Sequence, residues 1–349
     1  MTRPVGVLSL VTAAPPHELR QTDVVAAARA VYQDRHPLFE KMASVFETAG
    51  IRTRQAVVPM EWFLEPRGWT ERNDAYLCGA TALYQDAARR ALDEAGLKGS
   101  DIDILVTVSS TGIATPSLEA RCAGALGFRT DAARVPVFGL GCAGGVTGLA
   151  LAARLASAEP GSRVLFVCLE LCTLSFRLEQ PSKADIVATA LFGDGAAGCV
   201  LRAGEDGFAR VTSAAEHTWP DTLDIMGWRV DPEGLGVIFA QSIPPFARKN
   251  FRPAMDRMLR QQGLEAADVD RFLCHPGGTK VVEALEAALD LGQGALDHER
   301  AVLADHGNMS SPTALYVLDR ARRAGLPPRS VLTALGPGFT ASTLSLLAA

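Results

Sequence analysis

Unbroken apolar runs alternate along the chain with Ala-rich stretches that repeat with helical periodicity. The apolar runs predict strands at residues 103–110, 163–171, 196–202, 271–275 and 330–336. Runs without polar alternation are typical of central strands that are covered on both faces. The periodic stretches predict helices at residues 78–94, 142–158, 245–262, 280–289 and 312–324. Strands and helices that alternate in this way predict an α/β fold.

Two segments far apart in the chain share one plan, a glycine-rich turn followed by an apolar strand. They read LFGDGAAGCVL at 191–201 and LGPGFTASTLSLL at 335–347. This similarity indicates an internal duplication, and 349 residues suffice for two domains or one double-lobed unit. We predict two halves, residues 1–215 and 216–349, joined within 203–232.

The chain opens with MTRPVGVLSLVTAA, a basic residue before a short apolar stretch, as in a weak signal peptide. We interpret this segment as the first core strand, because nothing after it requires export. No apolar run reaches the roughly 18–20 residues that span a bilayer. The protein is therefore predicted to be cytoplasmic, without a membrane span.

Composition excludes several classes of protein. With 34 basic and 39 acidic residues the net charge is −5, which argues against a nucleic-acid binder but leaves a local basic patch open. The seven cysteines are odd in number in a large chain, so a disulfide framework is not expected. No Cys or His pairs have the spacing of metal ligands, and no metal site is predicted.

The segment GLGCAGGVTGLALAARLA places Cys142 between an apolar strand and a helix of small residues. Unpaired N–H groups and the helix dipole stabilise a thiolate at a helix N-terminus. Glycines on both sides allow a substrate to approach closely. Cys142 is thus the candidate nucleophile, and the alternative is a buried structural cysteine. Cys168 and Cys172 are interpreted as pocket or core residues.

Two polar residues downstream are candidate partners of this cysteine. His275 ends a strand and precedes a Pro-Gly-Gly turn, and Asn308 lies in a glycine-containing turn before a helix. Cys–His–Asn sets are assembled across a fold, so wide separations in sequence are permitted. His306 is the alternative histidine, but no strand leads into it. A core histidine and a turn-forming asparagine remain the structural alternatives.

Five segments together resemble the type III polyketide synthases, the chalcone synthase-like family. They read GLGCAGG, ALFGDGAA, HPGGTK, GNMSS and LGPGFT, in this order, and the resemblance covers nearly the whole chain. Ketoacyl synthases of the third kind also use Cys, His and Asn. They typically show a His-Gln-Ala-Asn run where this chain has HPGGTK, which favours the polyketide interpretation.

The resemblance implies a thiolase fold, with five αβαβα layers and two pseudo-duplicated halves. It also implies a homodimer without metal or bound cofactor that uses coenzyme A thioesters as substrates. Cys142 would carry the acyl group, and His275 would hold its thiolate as an ion pair. His275 and Asn308 would donate hydrogen bonds to the thioester oxygen and to the enolate formed from malonyl-CoA.

The resemblance also implies residues around the substrate. Phe192 matches a gatekeeping phenylalanine, with plain core packing as the alternative, and Val237 stands where the family has a second phenylalanine. Thr115 matches a residue that crosses the dimer interface in plant members. The initiation pocket would include Cys172, Ser175 and Ser310. CoA would be bound by Arg52, Arg54, Gly277 and Gly278, although the arginines also fit ordinary solvated charge.

The segment PMEWFLEPRGWTERNDAYL at 59–77 is similar to bacterial alkylresorcinol and alkylpyrone synthases. It predicts a medium- or long-chain fatty acyl-CoA starter, extended by two or three malonyl-CoA units and cyclised to an alkylpyrone or alkylresorcinol. One alternative is a ketoacyl synthase that performs a single condensation with an acyl carrier protein. The other is a non-catalytic acyl-CoA binding or scaffold subunit, which would not need all three of Cys142, His275 and Asn308.

Overall fold

The computed structural model describes residues 4–32, 39–178 and 181–349. The strands are β1 (Val5–Ala13), β2 (His17–Arg20), β3 (Thr53–Ala56), β4 (Ile104–Val108), β5 (Ala133–Val137), β6 (Arg163–Leu171), β7 (Asp194–Ala203), β8 (Ala209–Thr218), β9 (Met226–Asp231), β10 (Gly234–Phe239), β11 (Arg271–Cys274), β12 (Arg329–Gly336) and β13 (Thr340–Ala348). The helices are α1 (Gln21–Tyr32), α2 (Phe39–Met42), α3 (Ser44–Thr48), α4 (Trp69–Ala95), α5 (Leu118–Leu126), α6 (Gly144–Ala158), α7 (Lys183–Leu191), α8 (Ile243–Gln261), α9 (Thr279–Ala288), α10 (Asp297–His306) and α11 (Thr313–Gly325).

The main sheet of the described chain has nine strands in the order β11-β12-β13-β8-β1-β7-β6-β4-β5. The β4–β5, β4–β6 and β11–β12 pairs are parallel, and the other pairs are antiparallel. The strands of the two halves join where β1 pairs with β8, with Val5 opposite Val211. This mixed sheet with helices on its faces confirms the predicted α/β fold.

The helices and strands stack in five layers. The central helices α6 and α11 pack against strands of both halves in one core cluster. Helices α4 and α5 cover the outer face of β4, β6 and β7, and α8 and α9 cover the outer face of β11, β12 and β13. Strand β6 is apolar over most of its length because alternate side chains enter the central and the outer core. The order is therefore αβαβα, as predicted.

Several elements differ from the sequence predictions. Helix α4 begins at Trp69 rather than at 78, because the carboxylate of Glu71 accepts the N–H of Gly68 at 3.0 Å and caps its first turn. Helix α10 and the β9–β10 hairpin were not predicted. The opening segment forms β1 inside the sheet, which confirms its interpretation as a core strand. The division at 215/216 falls within β8 and stays a prediction.

Across the described residues, no helix is both long enough and apolar enough to cross a membrane.

Candidate active site

Cys142 lies in a single 3-10 turn that leads directly into α6, and its side chain is buried. Gly141 has a φ of 47°, and a Cβ at this position would lie 2.7 Å from the ring of Pro337. A Cβ at Gly145 would lie 2.1 Å from the carbonyl oxygen of Ser311. These glycines are required because the cysteine turn and α6 pack directly against main chain and proline of the second half.

His275 follows the last residue of β11, at one edge of the main sheet. Its N–H donates to the carbonyl of Thr333 at 2.8 Å, and its carbonyl accepts the N–H of Gly277 at 3.1 Å. The imidazole is buried, yet neither ring nitrogen has a hydrogen-bond partner within the described chain. Because buried polar groups are nearly always paired, an unpaired imidazole marks His275 as a candidate functional residue.

Asn308 is fully buried in the turn between α10 and α11, and its amide is held in one orientation. Its Oδ1 accepts the N–H of Ser310 at 2.9 Å, and its Nδ2 donates to the carbonyl of Gly277 at 3.3 Å. The turn is strained, because Ser310 has a φ of 57° in the left-handed region. One N–H of the Asn308 amide remains for another acceptor.

The structure brings Cys142 and Asn308 into contact and places Gly277 between Asn308 and His275. Burial raises the pKa of the Cys142 thiol to about 11, hydrogen bonds from Ser310 and Asn308 lower it, and the charge of Glu170 raises it. Burial also lowers the pKa of His275 to about 4. Desolvation therefore disfavours the charged form of each group, the thiolate of Cys142 and the imidazolium of His275.

His306, the alternative histidine, has partners of its own. Its Nδ1 lies 2.8 Å from Oε1 of Gln55, and its ring packs edge-on against Tyr316 at 4.9 Å. It lines a separate surface cavity of about 440 Å3 between α10 and α11. This placement favours His275 as the partner of Cys142.

Glu170 is a buried acid of the site that the sequence analysis missed. Its carboxylate accepts the N–H of Ser110 at 2.9 Å, the hydroxyl of Thr111 at 2.8 Å and the hydroxyl of Ser311 at 3.1 Å. Burial raises its pKa to about 7. The available signal was a charged residue inside the otherwise apolar run of β6.

The predicted pocket residues lie in two different places in the structure. Phe192, Cys172 and Val237 belong to one buried apolar cluster, and Phe192 packs edge-on against Trp228 at 6.5 Å. Ser175 instead lines a small cavity of about 10 Å3, room for at most about one water molecule. Trp228 also lines this cavity. Its other walls are formed by Trp69, Arg72, Asn73, Thr111, Leu171, Leu174 and Leu235.

A larger cavity of about 520 Å3 opens beside the turn that follows His275. Gly277 and Gly278 are part of its lining, and Lys183 and Lys280 are its basic side chains. Arg52 is not part of its lining and instead forms an ion pair with Asp305.

Arg54 is fully buried, which corrects the expectation that it contacts CoA phosphates. Its terminal nitrogens donate to the carbonyls of Thr189 at 2.8 Å, Ala190 at 3.0 Å and Phe192 at 3.1 Å, and also to Gln21. Burial lowers its pKa to about 9. The guanidinium thus supports the main chain around Phe192 and presents no donor at the surface.

In the part of the chain that the structure describes, no three His, Cys, Asp or Glu side chains are grouped so that they could hold a metal ion. All seven cysteines are free thiols, and Cys78 alone is exposed.

Comparison with known proteins gives concordant results for both halves. Residues 2–205 match the N-terminal domain of chalcone and stilbene synthases, and residues 210–348 match the C-terminal domain. A 1,3,6,8-tetrahydroxynaphthalene synthase of Streptomyces peucetius subsp. caesius is 38% identical over 352 residues, which cover 99% of this chain and 93% of that protein. A putative chalcone synthase of Bacillus subtilis strain 168 is 34% identical and covers 97% of both chains.

Among solved structures, the fold is similar to that of a 1,3,6,8-tetrahydroxynaphthalene synthase from Streptomyces coelicolor A3(2), described as a bacterial type III polyketide synthase. The TM-score is 0.92 and the sequences are 28% identical, over 98% of this chain and 99% of the other.

Proposed function

The chain belongs to the chalcone and stilbene synthase family of type III polyketide synthases, which are acyltransferases with a thiolase fold, and from this premise we propose that Cys142 carries its acyl group while His275 and Asn308 assist. One observation supports this assignment above the others. Hydrogen bonds from Ser310 and Asn308 lower the pKa of the buried Cys142 thiol. Gly277 links Asn308 to the buried His275, whose ring nitrogens have no hydrogen-bond partner among the described residues.

Loading begins at the thiol of Cys142. His275 accepts the proton of the Cys142 thiol, and the thiolate attacks the carbonyl carbon of the acyl-CoA thioester. The oxygen of the tetrahedral intermediate becomes negative and accepts hydrogen bonds from the Asn308 amide and the protonated imidazole. The C–S bond to CoA then breaks, CoA leaves as a thiol with the proton from His275, and Cys142 holds the acyl group as a thioester.

Extension uses the same donors a second time. Malonyl-CoA loses CO2 as its C–C bond breaks, and the electron pair moves onto the thioester as an enolate. Asn308 and His275 stabilise the enolate oxygen. The enolate carbon attacks the acyl carbonyl on Cys142, the Cys142 thiolate leaves, and the chain, longer by one ketide unit, remains on CoA. Asparagine suits this role because it donates without titrating.

Replacing Asn308 by alanine is expected to lower malonyl-CoA decarboxylation by about 10²–10³-fold, because a preorganised donor to the enolate is lost. Acyl loading should fall less, because the protonated imidazole of His275 still donates to the oxyanion of that step. CO2 release and trapping of the acyl-enzyme by mass spectrometry measure the two steps separately. An asparagine that only shapes its turn would leave decarboxylation by the folded fraction unchanged, and that result would remove Asn308 from the mechanism.

We propose that CoA thioesters approach through the 520 Å3 cavity beside Gly277 and Gly278. Gly277, which hydrogen-bonds both His275 and Asn308, is part of its lining. Lys183 and Lys280 are exposed and supply the positive charge that CoA phosphates require. Arg52 lies outside this cavity lining, and Arg54 has no part in the site.

The starter is the least constrained part of the function. The fatty acyl starter predicted from sequence depends on an open apolar tunnel beside Cys172, Ser175 and Val237. The cavity that Ser175 lines is closed by Trp69 and Trp228, and it has no room for a long chain. The tetrahydroxynaphthalene named for the Streptomyces relatives also carries no alkyl chain. We therefore propose a small starter, with the fatty acyl starter as the second candidate.

The starter is tested by kcat/KM with malonyl-CoA and acyl-CoAs from about two to about sixteen carbons, a range over which each buried methylene contributes about 0.8 kcal/mol. We expect the wild type to prefer the shortest starters. Trp228→Ala should move the optimum to longer chains. The control is Trp219→Ala, which removes an aromatic side chain that packs in the cluster of α8 and β13 and should leave the optimum unchanged. A wild-type optimum at long chains would establish the second candidate. A product extended only once would indicate the ketoacyl synthase alternative.

We propose that the enzyme is a homodimer whose interface includes β5. This strand forms an edge of the main sheet, and Phe138, directly after it, has 56% of its surface exposed. Ile113 and Thr115 are exposed in the neighbouring loop between β4 and α5. An edge strand beside exposed apolar side chains suits pairing with a second copy.

A further inference from the structure

The position of the His275 ring depends on main-chain anchors. No side chain of the described residues bonds either ring nitrogen, so the imidazole lies where the end of β11 places it. That strand is at the sheet edge and pairs only with β12. The N–H of His275 points inward to Thr333, and the preceding N–H, that of Cys274, points away from β12.

Glu299 covers the side of β11 that faces away from β12. Its Oε1 accepts the N–H of Cys274 at 2.7 Å, and the side chain is completely buried. Its Oε2 has no hydrogen-bond partner in the described structure, and Nη2 of Arg271 lies 4.0 Å away. A carboxyl group so deeply buried is costly, so its retention here calls for a specific use.

Glu299 belongs to α10, whose other end leads into the Asn308 turn. The helix ends at His306, and the N–H of Gly307 still donates to the carbonyl of Leu303. One end of α10 therefore binds the strand that carries His275, and the other end begins the turn that carries Asn308.

We infer that Glu299 is a positioning residue for the reaction, which, through its bond to Cys274 and through α10, fixes His275 relative to Asn308 and Cys142. The inference rests on the proposed function, because it assumes that His275 and Asn308 serve the chemistry at Cys142. Glu299 does not touch the substrate or the reacting atoms. Its effect is on the placement of the donors, where errors of about 1 Å can cost about 100-fold in rate.

A purely structural role is the competing explanation, and the chain offers a matched control. Glu286 is also a buried carboxylate that accepts main-chain N–H groups, those of Gly294 and Leu296, each at 3.0 Å. It also binds Arg300. It supports the segment between α9 and α10 and, through Arg300, the first turn of α10, but it makes no bond to β11. Removing either acid should destabilise the fold, and only removing Glu299 should displace His275.

The experiment compares Glu299→Ala, Glu299→Gln, Glu299→Asp and Glu286→Ala in the full-length enzyme. Three quantities are measured: the thermal midpoint, kcat and KM for malonyl-CoA decarboxylation, and the pH profile of Cys142 alkylation by iodoacetamide, read at the Cys142 peptide. We expect Glu299→Ala to lower kcat about 10–100-fold at similar KM. Its alkylation profile should move toward that of His275→Ala.

Glu299→Gln keeps an acceptor for the Cys274 N–H and should retain kcat within about threefold, since only the charge is lost. If Glu299→Ala does not fold, the test uses Glu299→Asp, because the shorter side chain of aspartate does not reach the Cys274 N–H in the same way. Glu286→Ala should lose thermal stability and keep both the kcat of its folded fraction and the wild-type profile. An unchanged kcat and profile in Glu299→Ala or Glu299→Asp, or equal losses in Glu286→Ala, would overturn the inference.

Failure of the proposed function gives a different result. In that case the wild type itself would neither decarboxylate malonyl-CoA nor form polyketides. The alkylation profiles would still show whether Glu299 controls the pairing of His275 with Cys142.

Discussion

Cys142→Ala is expected to abolish acyl loading and to lower polyketide formation by at least about 10⁴-fold, as removal of a covalent nucleophile does in other enzymes. The thiol is the atom to which the acyl group would be bound, and the alanine side chain offers no substitute. Intact-protein mass spectrometry after incubation with acyl-CoA measures loading directly, and product mass measures turnover.

The matched control is Cys172→Ala. Cys172 is also buried. The charge of Cys142 contributes to raising the pKa of the Cys172 thiol, so the two thiols are close. This variant should load normally at residue 142. If Cys142→Ala still acquires an acyl group on another cysteine and still forms product, the assignment of the nucleophile is wrong.

His275→Ala is expected to lower condensation by about 10²–10⁴-fold, because the residue that accepts and returns the thiol proton is lost. The pH dependence follows from the loss of the imidazolium that would stabilise the thiolate. Without it the pKa of Cys142 should rise, so the alkylation rate of the variant should rise only at higher pH than in the wild type.

His306→Ala is the control for this prediction. His306 bonds Gln55 and packs on Tyr316, so its loss should leave the Cys142 profile unchanged. If His275→Ala keeps the wild-type profile and His306→Ala shifts it, the roles of the two histidines are exchanged.

The fold was largely predictable because its central strands are buried on both faces. β6 and β12 are largely apolar and lack polar alternation, the pattern that is typical of strands covered on both faces. The β9–β10 hairpin was missed because it forms its own two-stranded sheet outside the main one. Its residues lack the continuous apolar pattern of the central strands.

The site was predictable where the signal is local and not where it depends on distant partners. The Gly-Cys-Ala-Gly-Gly context of Cys142 and the strand before His275 are contained in short segments. Glu299 acts on a strand 25 residues earlier, and no local pattern shows that contact. Arg54 illustrates the opposite error, because a sequence cannot distinguish a buried arginine that donates to carbonyls from an exposed one.

The wall of the cavity beside Ser175 could not be predicted from the sequence for the same reason. Trp69 begins α4, and Trp228 lies in β9, more than 150 residues later. They meet at the cavity only after the whole chain has folded.

Phe192 and Asn308 are also joined by main chain. The N–H of Asn308 donates to the carbonyl of Leu191 at 2.8 Å, and the carbonyl of Asn308 accepts the N–H of Gly193 at 3.1 Å. The residue predicted to border the acyl chain and the residue proposed to stabilise the enolate are therefore coupled through the main chain. Substitutions at 192 that shift this main chain should also displace Asn308, so a change of accepted substrate at this position should lower the rate of decarboxylation.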